Sequence, residues 1–304
     1  MAYTEASFQD ASDIIIAAGL SELVNLEKLP GGWANSNYKL SLNDNTKRVL
    51  KIWDGQTLDE VDYLLSITTY LSDNGVPTPS PIPFSNGEFM VVKNGLAWTL
   101  LPFVEGAWLE PNASSLYSLG EIQASLHLII PPVNLKEKFS MGNSLFDKLF
   151  SIADERNEWS DFLYMLKSES TILKQNIADL PRGIIHGDLF PDNILGTNDN
   201  INSILDFEEV CYDILAFDLV MTFVGCGWEN GEPVVERWVA LLDGYQSIRM
   251  LNHEEMDSLS DLHRLATLSI AAWRYWQFVI NLPNTEHTDR YLEMTDRLNK
   301  PLPF

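Results

Sequence analysis

One stretch of the sequence, residues 183–218, limits what this chain can fold into more than any other. Short apolar runs at 183–185 and 201–205 flank a polar loop, a pattern that predicts a loop and a hairpin. Four polar side chains would then meet at one edge: Asp188, Asp192, Asn193 and Asp206. Carboxylates held this close repel one another unless a positive charge lies among them. The economical occupant is a divalent metal with oxygen ligands, which usually arrives with phosphates.

Length and charge limit the possible classes of protein. At 304 residues the chain exceeds what one core usually supports, so two lobes are expected. No apolar run of about 18 residues occurs, which predicts no membrane span. The N-terminal residues lack the features of a signal peptide, so we expect a cytoplasmic protein. The formal net charge of −23 disfavours nucleic acid and anionic membranes as partners, because both require clustered Lys and Arg.

Hydrophobic periodicity predicts a small antiparallel sheet with a helix packed on it over residues 1–101. The expected elements are a helix over 7–18, strands over 22–29, 37–42 and 47–53, a helix over 58–71, and a hairpin of 88–93 and 96–101. Residues 102–106 are expected to form a hinge after this N-terminal lobe.

Residues 107–304 are predicted to form a mostly helical C-terminal lobe. Helices are expected over 116–129, 145–156, 158–177, 213–225, 234–248, 254–280 and 285–298. The strand candidates of this half lie within residues 183–218. The predicted fold class is therefore α+β, with a sheet-containing lobe followed by a helical lobe.

The spacing of the polar residues in the central stretch matches the requirements of phosphoryl transfer. Asp188 and Asn193 form a D-x-x-x-x-N pattern, and Asp206 follows beyond the predicted hairpin. Phosphoryl transfer needs a carboxylate to orient the attacking hydroxyl, and it needs a carboxamide and a second carboxylate to hold Mg²⁺. The same spacing occurs in the catalytic loop of protein kinases, where Asp-Phe-Gly supplies the second carboxylate. Here Glu208 follows Asp206-Phe207 in place of that glycine.

The N-terminal lobe contains candidate groups for binding ATP. Residues 30–37 form a glycine-containing loop between two predicted strands, and its backbone N–H groups can reach phosphates. The loop residues assigned to the nucleotide are Gly31, Gly32 and Asn35. Lys51 is a lone cation in an apolar strand, and Glu60 in the next helix is its expected partner. A structural salt bridge without nucleotide is the alternative for this pair.

The predicted hinge could offer backbone groups to the adenine ring. Pro102 lies where these groups are expected, but proline has no N–H to donate. Val104 is therefore the expected donor. This assignment rests on position along the chain.

Taken together, these motifs resemble the aminoglycoside phosphotransferase and choline kinase superfamily, whose members have a protein-kinase-like fold. The resemblance covers nearly the whole chain, and within the superfamily the sequence is most similar to the bacterial kinase-like homoserine kinases. The phrases that carry it are Asn74-Gly75-Val76-Pro77, Leu126-His127 and the His-Gly-Asp-Leu-Phe-Pro-Asp-Asn run at 186–193. It implies that Asp188 is the base or hydroxyl-orienting group, that Asn193 and Asp206 bind Mg²⁺, and that Lys51 contacts the ATP phosphates.

The substrate is expected to be a small metabolite with a hydroxyl group, most closely an amino alcohol such as homoserine. Four residues are assigned to it: Arg274, Trp228, Tyr245 and Trp276. An arginine fork suits a substrate carboxylate, and aromatic faces suit an amine. The alternatives for these residues are an internal ion pair and ordinary helix packing. A choline, ethanolamine or aminoglycoside kinase is the alternative function, and a non-catalytic nucleotide-binding protein is the alternative of another class.

Overall fold

The computed structural model of the chain describes residues 4–30, 35–177, 179–283 and 285–304. The chain divides into two compact units. The first ends at Gly106 and also includes Asn202–Leu205, and the second consists of Ala107–Ile201 and Asp206–Phe304. Within the described ranges, none of the helices is both long and apolar enough to cross a membrane.

The first unit is built on an antiparallel sheet. Among its described residues the sheet has five strands in the order β1-β2-β3-β5-β4. The elements are α1 (Phe8–Ala17), β1 (Leu23–Lys28), β2 (Ser36–Leu42), β3 (Lys47–Ile52), α2 (Leu58–Asp73), β4 (Val91–Lys93) and β5 (Leu96–Pro102). Each of these elements was predicted from the sequence within a few residues of its observed bounds.

Local chemistry explains where α1 begins and which face it buries. Ser7 and Asp10 form a capping box, in which each side chain bonds to the backbone N–H of the other residue. Ala11, Ile14 and Ile15 recur at helical spacing and are buried. They join a core cluster with the alternating inward side chains of β2. The tight turn between β4 and β5 uses Asn94-Gly95, both with positive φ.

The second unit is mostly helical and carries short strands. Its helices are α3 (Ala113–His127), α4 (Leu145–Arg156), α5 (Asp161–Asn176), α6 (Leu215–Cys226), α7 (Val235–Gln246), α8 (His253–Asp257), α9 (Leu259–Tyr275) and α10 (Arg290–Thr295). Its strands are β6 (Ala107–Trp108), β7 (Arg182–Ile185), β8 (Ile194–Thr197), β10 (Cys211–Ile214), β11 (Trp228–Glu229) and β12 (Glu232–Pro233). Strand β9 (Asn200–Ile204) begins in this unit, and its residues from Asn202 onward belong to the first. The predicted α+β fold, with a sheet-containing unit and a mostly helical one, is confirmed.

Three sequence predictions in this unit differ from the structure. The helix expected over 285–298 is shorter, since α10 covers Arg290–Thr295 and Asp296–Asn299 forms a 3₁₀ turn. The single helix expected over 254–280 is broken at Ser258, which ends α8 and starts α9, and α9 is followed by a π-helical turn at Trp276–Asn281. Helical spacing of apolar residues continues through such a break, so it gives no signal of one. The strands β6, β11 and β12 lie outside residues 183–218 and were missed, although Asn230-Gly231 between β11 and β12 is a hairpin turn with positive φ at both residues.

Helices α3 and α7 pack at an unusually close crossing. A Cβ atom on Gly120 would lie 2.3 Å from the carbonyl oxygen of Leu241, and one on Gly244 would lie 2.0 Å from that of Tyr117. Only glycine lets the two backbones approach this closely. The crossing matters for the site because His127 ends α3, while Tyr245 directly follows Gly244.

Candidate active site

The candidate catalytic loop begins where strand β7 ends. Residues 183–185 of β7 are buried and pair with β10, with Ile185 opposite Cys211. The chain then turns at Gly187, which has a φ of +82°. A Cβ atom there would lie 2.9 Å from the ring of Phe139. Glycine is therefore required at this turn for both conformation and space, and the turn places Asp188 at the start of the loop.

Asp218, near the start of α6, holds the chain turn at Gly187 through hydrogen bonds. Its carboxylate accepts hydrogen bonds from the backbone N–H of His186 at 3.1 Å and of Gly187 at 2.7 Å. It also accepts from Gln123 Nε2 at 2.9 Å, and it lies 3.0 Å from His127 Nε2. Burial alone would raise the pKa of Asp218, but the hydrogen bond from His127 holds it below its usual value. Asp218 is thus an ionised internal acceptor.

Asn193 fixes the carboxylate of Asp188. The Asn193 Nδ2 atom donates to the backbone oxygen of Asp188 at 2.8 Å and to its Oδ2 at 3.0 Å. The short helical turn Pro191–Asn193 brings the carboxamide back over the loop. The ring of Phe190 packs where a side chain at Gly225 would stand, so the loop also rests on α6. The predicted partners five residues apart are therefore in direct contact.

Several carboxyl groups lie close together around the loop. Asp188 is half-buried, and burial together with the fields of Asp206, Asp192 and Glu209 raises its pKa to about 8. Burial also raises the pKa of Glu209, whose carboxylate accepts a hydrogen bond from Ser140. Carboxyl groups in such a field favour a bound cation.

Asp206 stands at a strained position at the end of the β8–β9 hairpin. It adopts a left-handed conformation, with φ 63° and ψ 67°, and its side chain is exposed. Phe207 beside it is buried, and its ring centroid lies 4.5 Å from that of His186. Left-handed backbone in a residue other than glycine often marks a functional position.

The donor set fits a divalent metal that is completed by other ligands. Asn193 uses its Nδ2 on Asp188, so its carbonyl oxygen is the atom left for a metal, and Asp206 would be the predicted carboxylate ligand. Oxygen donors of this kind suit Mg²⁺, which keeps several water or phosphate ligands. Over the described part of the chain, no group of three or more His, Cys, Asp or Glu side chains could hold a metal. The predicted ligands Asn193 and Asp206 thus remain a proposal.

Lys51, the predicted phosphate-binding lysine, lies on the central strand β3 of the first unit. It pairs with Asn37 on one side and Thr99 on the other. Its ammonium lies 3.8 Å from the ring centroid of Trp53, and Trp53 Nε1 donates to Thr99 Oγ1 at 3.0 Å. The lysine is therefore held on a firmly packed strand.

Glu60 and Asn35, two other residues that were predicted to bind nucleotide, have local roles as well. Glu60 accepts from Thr57 N at 2.8 Å in the capping box of α2. Gly31 and Gly32 lie outside the described residues. Asn35 is buried, and its side-chain oxygen accepts from Asp54 N at 3.1 Å.

The predicted adenine-binding residues lie where the first unit ends. Pro102 is the last residue of β5, opposite Arg48 of β3. Val104 follows two residues later and is half-buried. Its role as a hydrogen-bond donor to adenine stays a prediction.

Of the four predicted substrate residues, Tyr245 and Trp228 are buried in the second unit. Tyr245 is fully buried, and its hydroxyl lies 2.7 Å from His127 Nδ1 and 3.1 Å from Arg249 Nη1. Trp228 is 8% exposed, and its ring stacks on that of His263 with centroids 5.7 Å apart. The Arg297 guanidinium lies 4.7 Å from the centroid of the Trp228 ring. The contacts that the structure gives to both side chains are internal.

Arg274 and Trp276 are more accessible and lie close in sequence at the end of α9. Arg274 Nη1 donates to the backbone oxygen of Arg290 at 2.9 Å and to Glu293 Oε2 at 2.6 Å. Trp276 is half-buried, with the Lys148 ammonium 4.5 Å from its ring centroid. A substrate carboxylate at Arg274 would share the guanidinium with Glu293.

Sequence reasoning missed the polar groups of α3 that support the loop. Gln123 and His127 are one helical turn apart and both are buried. Their partner Asp218 lies more than 90 residues further along the chain. The available signal was the pair itself, since two polar residues at i and i+4 on an apolar helix face need buried partners.

Comparison with known proteins identifies the class. The model of the phosphotransferase enzyme family matches residues 25–251, so the chain belongs to this family. The predictions of this superfamily and of a kinase enzyme are therefore confirmed.

Individual relatives add detail. The homoserine kinase of Sinorhizobium fredii is 26% identical over 293 residues, covering 91% of this chain and 87% of the relative. That of Nitrobacter winogradskyi is 28% identical over 289 residues, covering 92% and 87%. Among solved structures, a microcompartment-associated aminopropanol kinase has a TM-score of 0.73 at 18% identity, covering 96% of this chain and 95% of that one. Spectinomycin phosphotransferase has a TM-score of 0.66 at 14% identity, covering 97% and 94%. These two likenesses concern the fold.

Proposed function

We propose that this protein transfers the γ-phosphoryl group of ATP to the hydroxyl of a small amino alcohol, most closely homoserine. The observation that carries the proposal is the contact between Asp188 and Asn193 in a loop braced by Asp218. Family membership supports the reaction class, and the names of the relatives support homoserine.

Asp188 orients the acceptor in this proposal. Its carboxylate accepts a hydrogen bond from the substrate hydroxyl and takes the proton as the new P–O bond forms. Asn193 holds the carboxylate by donating to Oδ2, so the reacting oxygen can be positioned without reorganisation of the loop. A carboxyl with a raised pKa becomes a usable base once positive charge enters its surroundings.

Lys51 is assigned to the phosphates of ATP as a point charge, and the glycine-containing stretch of the sequence at 30–37 is assigned to them through its backbone N–H groups. Asn193 and Asp206 would hold Mg²⁺, which when bound neutralises the charge that develops on the phosphates. A protein that only binds nucleotide has no physical need for a carboxylate fixed in this way by a carboxamide.

The acidic surroundings of Asp188 favour a substrate that carries a positive charge. Asp192, Asp206 and Glu209 all act on Asp188. An ammonium group bound nearby relieves their repulsion, whereas a neutral alcohol does not. We therefore expect an amino alcohol to be preferred over a polyol of similar size.

A choline or ethanolamine kinase is the second candidate. The observation in its favour is that the ammonium of Lys148 lies over the Trp276 ring, so this aromatic face can bind a cation. Choline lacks the carboxylate of homoserine, so the two substrates differ in what Arg274 would contribute.

The test measures ATP consumption with homoserine, choline, ethanolamine and aminopropanol as acceptors, with and without Mg²⁺. We expect Mg²⁺-dependent turnover that is fastest with homoserine. Arg274→Met should raise the KM for homoserine about tenfold or more, the loss of one charge-assisted contact. It should leave the KM for choline nearly unchanged.

The matched control is Arg156→Met, which removes an arginine from an exposed position at the end of α4. It should change neither KM. Faster turnover of choline than of homoserine would favour the second candidate, and no turnover of any alcohol would contradict the proposal.

A further inference from the structure

The buried hydroxyl of Tyr245 lies at the centre of a hydrogen-bonded chain that reaches the catalytic loop. We propose that Tyr245, together with Arg249 and Glu255, is a positioning residue that fixes the loop through His127 and Asp218. This inference rests on the proposed function, because it assigns a role in the same phosphoryl transfer.

The direction of each hydrogen bond follows from the ionised ends. Asp218 can only accept, so His127 Nε2 must carry the hydrogen that it donates to Asp218 at 3.0 Å. Arg249 can only donate, so the Tyr245 oxygen is an acceptor for its Nη1 at 3.1 Å. The Tyr245 hydrogen is then free to be donated to His127 Nδ1 at 2.7 Å.

This arrangement satisfies every group with a neutral imidazole. If His127 Nδ1 also carried a hydrogen, Tyr245 would accept two hydrogen bonds, and its own hydrogen would lose this acceptor inside the protein. An unsatisfied buried hydroxyl costs about 1–3 kcal/mol. Hydrogen bonds that all point the same way also polarise and strengthen one another. The phenol stays un-ionised because burial raises the pKa of Tyr245.

The close helix crossing makes this contact possible. Gly244 lets α7 approach α3 backbone to backbone, and Tyr245 follows it directly. Its ring meets that of His127 edge to face, with centroids 5.4 Å apart. A larger residue at the crossing would move the Tyr245 hydroxyl away from His127 Nδ1.

The far end of the chain is anchored in a separate element. Arg249 Nη2 donates to Glu255 Oε1 at 2.8 Å. The other oxygen of Glu255 accepts from Asn252 N at 3.0 Å, within the capping box that begins α8. Glu255 is fully buried, and its carboxylate is held by these two donors. The start of α8 is thereby linked to the backbone N–H groups of the catalytic loop.

The consequence for the site concerns orientation. Without the Tyr245 hydroxyl, His127 Nδ1 loses its donor and the ring loses one of the two bonds that fix it. Asp218 is then held less firmly under the His186 and Gly187 amides. Asp188, one residue later, loses part of its fixed direction.

The test compares Tyr245→Phe with Tyr275→Phe. Tyr275 is also a buried tyrosine, and its hydroxyl contacts only Ser160, at 3.1 Å, among the contacts described for it. Tyr245→Phe should lower kcat about tenfold, the equivalent of one lost buried hydrogen bond. The KM values for ATP and the amino alcohol should change by about twofold at most. Tyr275→Phe should keep the wild-type kcat.

Amide hydrogen exchange gives a readout that does not depend on turnover. The His186 and Gly187 amides should exchange about tenfold faster in Tyr245→Phe and at the wild-type rate in Tyr275→Phe. Arg249→Lys is a second variant and should shift exchange in the same direction. An inactive wild type would overturn the proposed function, whereas the exchange rates would still decide the positioning role. Wild-type kcat and wild-type exchange in both Tyr245→Phe and Arg249→Lys would overturn this inference.

Discussion

His263 is a buried histidine that folding keeps neutral. It lies on α9, is 2% exposed, and packs among the rings of Trp228, Phe223 and Phe304. Among the described side chains its Nε2 atom has no hydrogen-bond partner. Burial, together with the positive charge of Arg297, lowers its pKa to about 3. Charging this residue is therefore much harder in the folded than in the unfolded protein.

This difference predicts a pH dependence of stability. In the unfolded chain the pKa is the ordinary value of about 6.5, so between that value and about 3 the unfolded state binds one more proton. The stability that neutral His263 contributes is fully present above pH 6.5 and is lost as the pH falls toward 3. At pH 5 the protonation of the unfolded chain should lower the free energy of unfolding by about 2 kcal/mol.

The measurement is denaturant unfolding of wild type and His263→Phe at pH 7.5 and pH 5. The variant should gain about 2 kcal/mol relative to wild type on moving to pH 5, because it has no group to protonate there. The common acid loss from carboxylates cancels in this comparison. An unchanged difference between the two proteins across this range would contradict the neutral assignment.

The residue scale also shows what could be predicted of the site. Asp188 and Asn193 were identified because their spacing reflects a local loop, and the structure brings them into contact. The hydrogen-bonded series from Tyr245 to Asp218 was not identified, because its members come from elements far apart in sequence and their spacing does not indicate which of them are in contact. Tyr245 was assigned to a substrate because aromatic faces suit an amine, with helix packing as the alternative. Aromatic residues of a core and of a binding surface have the same spacing, so spacing does not separate these two roles.

At the scale of elements, the α3–α7 crossing depends on two glycines. Replacing glycine by alanine in a helix normally stabilises it by up to about 1 kcal/mol. At Gly244 the added carbon would lie 2.0 Å from the Tyr117 carbonyl oxygen, which belongs to rigid helix backbone. The two helices would have to move apart, so the usual sign reverses.

Gly244→Ala should therefore lower the free energy of unfolding by about 1–3 kcal/mol, the usual cost of overpacking. Chemical denaturation of the variant checks this value. Asp243→Ala changes the exposed neighbouring residue of the same helix and should stay within about 0.5 kcal/mol of wild type. A Gly244→Ala variant that is as stable as wild type would show that the backbones are not in contact at the crossing.

Elements with local signals were predicted well. Ser7 and Asp10 cap α1, and Asn94-Gly95 forms the turn between β4 and β5, so neighbouring residues determine each boundary. The break at Ser258 has no such mark, because apolar residues continue on both sides. Packing in the second unit, rather than local preference, decides where that helix ends.

At the scale of the whole molecule, the dominant property is charge. The chain has 43 Asp and Glu residues against 20 Lys and Arg, for a formal net charge of −23. Like charges at this density destabilise the compact state by mutual repulsion. Salt shortens the screening length from about 30 Å at 0.01 M to about 3 Å at 1 M.

The protein should therefore become more stable as NaCl is raised from low to moderate concentration. Thermal unfolding without ligands at 10 mM and 500 mM salt checks this, with an expected rise in Tm of a few degrees, equivalent to roughly 1 kcal/mol. KCl should act like NaCl if screening is the cause. A Tm that falls with salt would mean that attractive ion pairs outweigh the net repulsion.

The central claim is that Asp188 is the group that accepts the proton of the substrate hydroxyl. Asp188→Asn keeps the size and the contact with Asn193 but removes the base, so kcat for phosphorylation of the best alcohol should fall by roughly 10²–10⁴-fold. Asp192→Asn removes the exposed neighbouring carboxylate and should cost about tenfold at most. Steady-state kinetics of the three proteins with ATP and Mg²⁺ decide the matter. If Asp188→Asn phosphorylates the alcohol at the wild-type rate, the proposed role of this loop is wrong.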